Sequence, residues 1–370
     1  MTTRSGPVLL LAASMLAIVM PLPGRAFTAP PPAPPCVPAK AGVSAAALGA
    51  IIAADTDSHV QQCAVQDLAA RGAAMPVVVA MLRSDQGAPL IGALEVVAAI
   101  GPAAHAALPL LMAHVRQPPA ALNGLYRELY DAVGALGPAA RPAIPLLLDR
   151  TRDPDHSVQA LRILGKLGKY DSRRVVPHLS ATLIDSTGDL WVLPALAAIG
   201  KDARGALPAV LGALEQAKVR RDGRQAAAAL DALVAIGTPG ESVPVLIGLL
   251  GDPVLDAPAV DAFGALGSAG TRAVPLLIDK LQRSRGDEGK AVGIVRALAA
   301  IAPASPPVQR QLLLEATRHG SAHAAYALAR IGPLPADFAA PLAAALAKKP
   351  ATPTCAWRSR MCGSRTSLRR

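Results

Sequence analysis

Between residues 41 and 350, apolar positions recur at three- and four-residue spacing in short bursts, and burst after burst closes on Ile or Leu followed by Gly. The pairs are Ile100-Gly101, Leu136-Gly137, Leu167-Gly168, Ile199-Gly200, Ile236-Gly237, Leu266-Gly267 and Ile331-Gly332. Ile301-Ala302 is a degenerate member and Arg71-Gly72 a candidate earlier one. The spacing predicts an amphipathic helix before each glycine, as in the stretch Ala226 to Ile236. The glycine then sits where the helix ends and φ turns positive. A proline follows seven to nine residues later: Pro109, Pro145, Pro177, Pro208, Pro244, Pro275 and Pro341, with Pro76 and Pro307 as weaker counterparts. That placement predicts the first turn of a second helix, where a missing N–H costs nothing.

The same unit is written repeatedly. Asp131 to Asp149 and Asp261 to Asp279 are identical at twelve of nineteen positions. From Gly101 onward, the intervals between successive glycines or their equivalents run from 30 to 37 residues. Two short helices cannot bury their own apolar face, so stacked neighbours must complete the core. The expected fold is all-α: an α-solenoid of about 8–9 stacked helical hairpins over residues 41–350.

The paired pattern, written here as "ALEVVAAIGPAAHAALPLLMAHV" and "LDALVAIGTPGESVPVLIGLL", resembles HEAT repeats, in particular the short phycobilisome-lyase-type HEAT-like class. The resemblance covers residues 41–350. It implies an α-α superhelix and, for most of the class, an adaptor or scaffold role, with enzymes a minority. The HEAT-like enzymes that hydroxylate a modified lysine carry His-Glu pairs on successive repeats. This chain has no His-Glu dipeptide, so that activity does not carry over, and nothing in it indicates the chromophore partner of a bilin lyase.

Composition fits helices packed closely on one another. The chain is 52% hydrophobic but 2% aromatic, and its apolar load is Ala, Leu and Val rather than the aromatic and β-branched residues a sandwich favours. The net charge of +11 belongs mainly to the ends. Arg4, Arg25 and Lys40 lie in residues 1–40 without an acid, and Arg358, Arg360, Arg365, Arg369 and Arg370 lie in residues 351–370, again without one. The body is near neutral, which argues against a nucleic-acid-binding surface. Its densest basic run, Lys218 to Arg224, contains an acid and is expected to be a solvated loop.

Residues 1–26 carry the three parts of a secretory signal: Arg4, the apolar run Val8 to Met20, and small residues ending at Ala26. The expectation is a periplasmic or secreted protein with no stable membrane span after cleavage; the alternative is an uncleaved N-terminal anchor. Residues 27–40 form a proline-rich linker of extended character. Residues 351–370 break the pattern abruptly and read as a basic disordered tail or as the product of a shifted reading frame. In an oxidising compartment Cys36 and Cys63 are candidates for a disulfide tying the linker to the first repeat.

The search for reaction chemistry finds no nucleophile elbow, phosphate loop or dinucleotide fingerprint. His319 and His323 have the spacing of metal ligands, but Ser321 reads as an N-cap between them, placing His319 outside the helix. Cys63 lies four residues from His59, and is read as buried or disulfide-bonded rather than nucleophilic. Catalytic, metal and cofactor sites are therefore expected to be absent. Six residues before each glycine or its equivalent stand Glu95, Asp131, Arg162, Pro194, Asp231, Asp261, Arg296 and Tyr326, which stacking would set side by side, pairing Asp131 with Arg162 and Asp261 with Arg296. The second helices supply the candidate protein-binding surface: His114, Asp149, Arg150, Thr182, Asp279 and Lys280. Arg150, Trp191, Tyr126 and Tyr130 are candidate anchors, Trp191 being equally a core candidate. The function expected is a scaffold or adaptor for a protein partner, without nucleic acid. The alternatives are a lyase-like or cofactor-handling accessory protein and a HEAT-like nucleic-acid binder.

Overall fold

A computed structural model describes residues 36, 43–54, 58–71, 74–122, 124–185, 190–284, 287–331 and 334–348. The chain divides into two units, Met1–Val37 and Pro38–Arg370. Cys36 is the described residue of the first, and all the helices belong to the second. The expected signal at 1–26 and tail at 351–370 lie outside the described residues, as does the linker at 27–40 apart from Cys36.

Among the described residues the regular structure is helical, without a strand. The α-helices are α1 (Ala45–Ala53), α2 (Ser58–Ala69), α3 (Met75–Leu82), α4 (Gly87–Ile100), α5 (Leu108–Arg116), α6 (Tyr126–Ala135), α7 (Ile144–Arg150), α8 (Ser157–Leu167), α9 (Ser172–Asp185) and α10 (Val192–Ile199). They continue as α11 (Leu207–Arg220), α12 (Gly223–Ile236), α13 (Pro239–Leu249), α14 (Asp256–Leu266), α15 (Val274–Arg283), α16 (Glu288–Ile301), α17 (Pro306–Arg318), α18 (Ala322–Arg330) and α19 (Ala339–Lys348).

From α2 onward the even-numbered helices pack in succession, α2 on α4, α4 on α6, and so on to α16 on α18. Odd-numbered helices pack against the even ones beside them and, from α5 to α11 and from α15 to α19, against one another. Every substantial contact joins elements close in sequence. The buried residues nonetheless form one cluster running from Leu48 to Leu342. Small residues make such packing close: a Cβ added at Gly165 on α8 would lie 3.1 Å from the Ala195 Cα of α10.

The joints are of two kinds. After α4, α6, α10 and α14 the chain passes through glycines at positive φ (Gly101, Gly137, Gly200 and Gly267) into seven-residue 3-10 segments. These run into α5, α7, α11 and α15, with Pro109, Pro145, Pro208 and Pro275 in their first turns, as the sequence predicts. Gly168 and Gly237 depart from that expectation, with φ of −58° and −75°. There glycine is needed for space: an added Cβ would lie 2.5 Å from Ile199 Cδ1 at Gly168, and 2.7 Å from both Leu233 O and Ser242 Oγ at Gly237. In those two units the second helix begins earlier, so Pro177 and Pro244 fall inside α9 and α13. Gly332 lies outside the described residues.

The stretch Gly87–Arg116 is long and apolar enough to cross a membrane by length and composition. It folds as α4 and α5 with a 3-10 segment between them, and Leu90, Leu94, Val97 and Leu111 are fully buried within the protein. The basic run at Lys218 to Arg224 is exposed, but it is a helix junction rather than a loop. Arg221 takes the left-handed conformation after α11, and Asp222 caps α12 by accepting from the backbone N–H groups of Arg224 and Gln225.

Candidate functional site

Neighbouring even helices bring two adjacent pairs of the expected row together. Arg162 Nη1 donates to Asp131 Oδ1 at 2.5 Å, with Lys166 at 3.3 Å and Arg127 at 3.7 Å from the same carboxylate. Arg296 pairs likewise with Asp261. Burial works against the charge on Asp131, but the hydrogen bonds and charges of Arg162 and Lys166 outweigh it and hold the carboxyl below its usual range. Glu95 is pushed upward, by burial first and then by the neighbouring Glu128.

The six candidate residues of the second helices divide in their roles. His114 on α5 donates from Nε2 to the carbonyl of Leu82, the last residue of α3, at 2.8 Å. Arg150 on α7 donates to the carbonyl of Arg116, the last residue of α5, and to Asp153 at 2.9 Å. The next tie comes from His178 on α9. Thr151 gives its hydroxyl hydrogen to Leu148 O, so His178 Nε2 is the donor across 2.9 Å to Thr151 Oγ1. Three ties therefore join four successive odd helices: His114 and Arg150 donate to the C-terminal carbonyls of α3 and α5, where the helix dipole favours a donor, and His178 donates to the Thr151 hydroxyl that follows α7. His114 and Arg150 thus serve the joints between units. Thr182 bonds back to His178 O within its own helix, and Asp149 is exposed.

One of the candidate anchors is placed differently from expectation, and the structure decides between the two readings of another. Tyr130 is fully buried, so it offers no surface anchor; burial raises its phenol pKa. Its ring and that of Tyr126 pack on His156, at 5.8 and 4.2 Å between centroids. Trp191 is 52% exposed and is not core, because it stands before the first turn of α10 rather than on its buried face. His319 follows α17, and Ser321 caps α18 by accepting from Ala324 N at 3.2 Å, so His319 lies outside the helix that carries His323, as expected. His59 Nε2 lies 3.6 Å from Cys63 Sγ, one turn away on α2.

His156 and His178 both have lowered pKa values, chiefly through burial. Arg150 adds to the effect at His156 against the opposing Asp153 and Asp155, and Arg152 adds to it at His178 against Asp149. Each imidazole is thus kept neutral by folding. An unfolded chain takes up protons near pH 6.5, so this stabilisation is complete above about 6.5 and is lost as pH falls below it. Asp131 acts in a separate window, its contribution disappearing as pH falls below the unfolded carboxylate value of 3.8. Thermal melts are expected to show a first loss as pH falls below about 6.5 that shrinks in the His156→Gln/His178→Gln double variant. A drop of unchanged size in that variant would assign the loss to other groups.

The remaining pair, Asp279 and Lys280, sits beside a cavity of about 530 Å³ between α14, α15 and α16. Lys280 pairs with Asp256 at 2.7 Å, and Asp256 also accepts from the backbone N–H of Gly251 at 2.7 Å. Arg283 pairs with Asp279, and Lys290 with Asp287 at 3.1 Å. The expected Asp261–Arg296 pair forms part of the same wall. Three residues that sequence reasoning passed over, Arg283, Lys290 and Gly293, also line it. Lys290 and Gly293 lie in "GKAVGIV", where two glycines stand four apart inside α16.

No protein-family model and no curated protein matches the chain. Among solved structures, it is similar to an engineered protein crystallised by the Northeast Structural Genomics Consortium, at 17% identity and a TM-score of 0.39. The match covers 82% of this chain and 98% of that one.

Proposed function

We propose that this protein is an exported α-solenoid of HEAT-like hairpins that serves as a scaffold or adaptor, holding another protein on the surface of its helical array. The observation that carries the reading is the register of the even helices. Asp131 meets Arg162, 31 residues on, and Asp261 meets Arg296, 35 residues on. A row assembled from one residue per unit spreads recognition over many modest contacts, which suits a macromolecular partner. The ties made by His114, Arg150 and His178 support the same reading, because they keep successive units in fixed register. In this reading the chain is not an enzyme and takes no cofactor or nucleic acid. The export part rests on the sequence of residues 1–26.

Affinity capture with residues 41–350 from an extract of exported proteins, followed by chemical cross-linking, tests it. One partner is expected, cross-linked to several units of the array. Cross-links confined to a single unit, or the absence of a specific partner, would contradict the proposal.

A further inference from the structure

We infer that the edge of the array formed by the joints after α6, α8 and α10 docks on an anionic phospholipid surface. The inference goes beyond the scaffold reading and stands on where the charges lie. The three joints, residues 137–143, 168–174 and 200–206, hold six cations: Arg141, Lys169, Arg173, Arg174, Lys201 and Arg204. Against them stand Asp171 and Asp202, which leaves a net charge of +4, or +3 if Glu241 of the following joint is added. Residues 41–350 as a whole net +3, so outside these three joints the array is −1. All six cations are exposed.

The fold sets the joints side by side. A Cβ added at Gly137 would lie 3.8 Å from Pro102 Cγ and 3.9 Å from Tyr170 Oη, and one added at Gly168 would lie 2.5 Å from Ile199 Cδ1. Packed helices stand about 8–10 Å apart, so the row spans about 20 Å. Arg141, Arg173 and Lys201, one from each joint, make no ion pair among the described residues. Lys169 lies over the Tyr170 ring at 5.2 Å. Arg174 is held by Asp171 at 3.9 Å and Arg204 by Glu241 at 2.8 Å, and both arginines remain 59% exposed.

What the edge lacks selects the partner. A protein interface is anchored by aromatic or aliphatic side chains that fill pockets. Beyond its charged residues and the half-buried Tyr170, this edge is made of Gly, Ala, Pro and Ser. None of the large exposed apolar side chains among the described residues belongs to it. A plane of anionic headgroups needs no pocket and draws on cations spread along a row, each strengthening adsorption about fivefold. The other dense basic run, Lys218 to Arg224, stands at the far end of α11, 14 residues and about 21 Å from these joints. There the charges of Lys218 and Arg221 act on Asp252 of the neighbouring turn.

The test is sedimentation of the full chain with phosphatidylcholine vesicles, with and without one-third phosphatidylglycerol. Binding is expected to be at least tenfold tighter with the anionic lipid and to weaken as salt is raised. Arg141→Gln/Arg173→Gln/Lys201→Gln should lower that binding at least tenfold. Lys218→Gln/Arg221→Gln/Arg224→Gln removes the same charge at the opposite edge, beyond the Debye length of about 10 Å at 0.1 M salt, and should lower it less than threefold. The cations of the chain termini are common to all three proteins and cancel in the comparison. Circular dichroism melts of both variants should match the parent, because all six positions are exposed. Equal binding to the two kinds of vesicle, or equal losses in the two variants, would overturn the inference. So would tighter binding to duplex DNA that the first variant loses, which would assign the edge to a nucleic-acid backbone instead.

Discussion

Truncating Leu196 to alanine is expected to cost about 2–5 kcal/mol of stability, the range for a fully buried leucine whose surroundings relax only in part. Leu196 has no exposed surface and lies on α10, which packs against α8 on one side and α12 on the other. Little can collapse into the gap, because the helices on both sides are themselves fixed by their next neighbours. The consequence reaches beyond the size of the loss. In an array built from nearest-neighbour contacts, stability is a sum of unit and interface terms, so weakening one central interface uncouples the halves. Urea unfolding followed by circular dichroism should therefore show a lower midpoint together with a broader or two-step transition. A loss under about 1 kcal/mol with an unchanged, sharp transition would mean that α10 is not clamped as described.

Replacing Gly200 by alanine is expected to cost about 1–3 kcal/mol, although the new methyl group touches nothing. Gly200 adopts φ 72° and ψ −139°, a conformation closed to residues with a Cβ, and an added Cβ there would meet no atom within 4 Å. The loss is therefore wholly one of backbone strain at the entry to the 3-10 segment leading to α11. Gly212, inside α11 and equally open around its Cβ, supplies the opposite sign. There alanine should stabilise by up to about 1 kcal/mol through helix propensity alone. Thermal melts of the two variants, run against the parent, should move in opposite directions. If both move together, the distinction between the two glycine environments fails.

Those two glycines also show how far the sequence could be read. Ile-Gly followed by proline announced a helix, a break and a second helix, and the described residues are helical in that order. The letters did not reveal that glycine is kept for different reasons. At Gly101 and Gly200 the backbone turn requires it, whereas at Gly168 and Gly237 it makes room for Ile199 and Ser242, residues brought there by packing. Single-sequence patterns carry local periodicity and leave out what the neighbouring unit presses against a position. The row containing Asp131 and Arg162 was legible because it follows from period and stacking alone. The ties from His114 and Arg150 were not, since a long polar side chain on a second helix looks the same whether it faces solvent or reaches the carbonyl end of the helix before it. The cavity beside α16 was not legible for a related reason: only the packing of α14, α15 and α16 sets Arg283 and Lys290 around a common space.

The claim beneath all of this is that each helical pair is held by its immediate neighbours and by nothing farther away. Hydrogen exchange followed by mass spectrometry, comparing Leu196→Ala with the parent, measures that most directly. Faster exchange is predicted in peptides from α8 to α12, with those from α1 to α4 and from α16 to α18 unchanged. Acceleration spread evenly over every helix would contradict it.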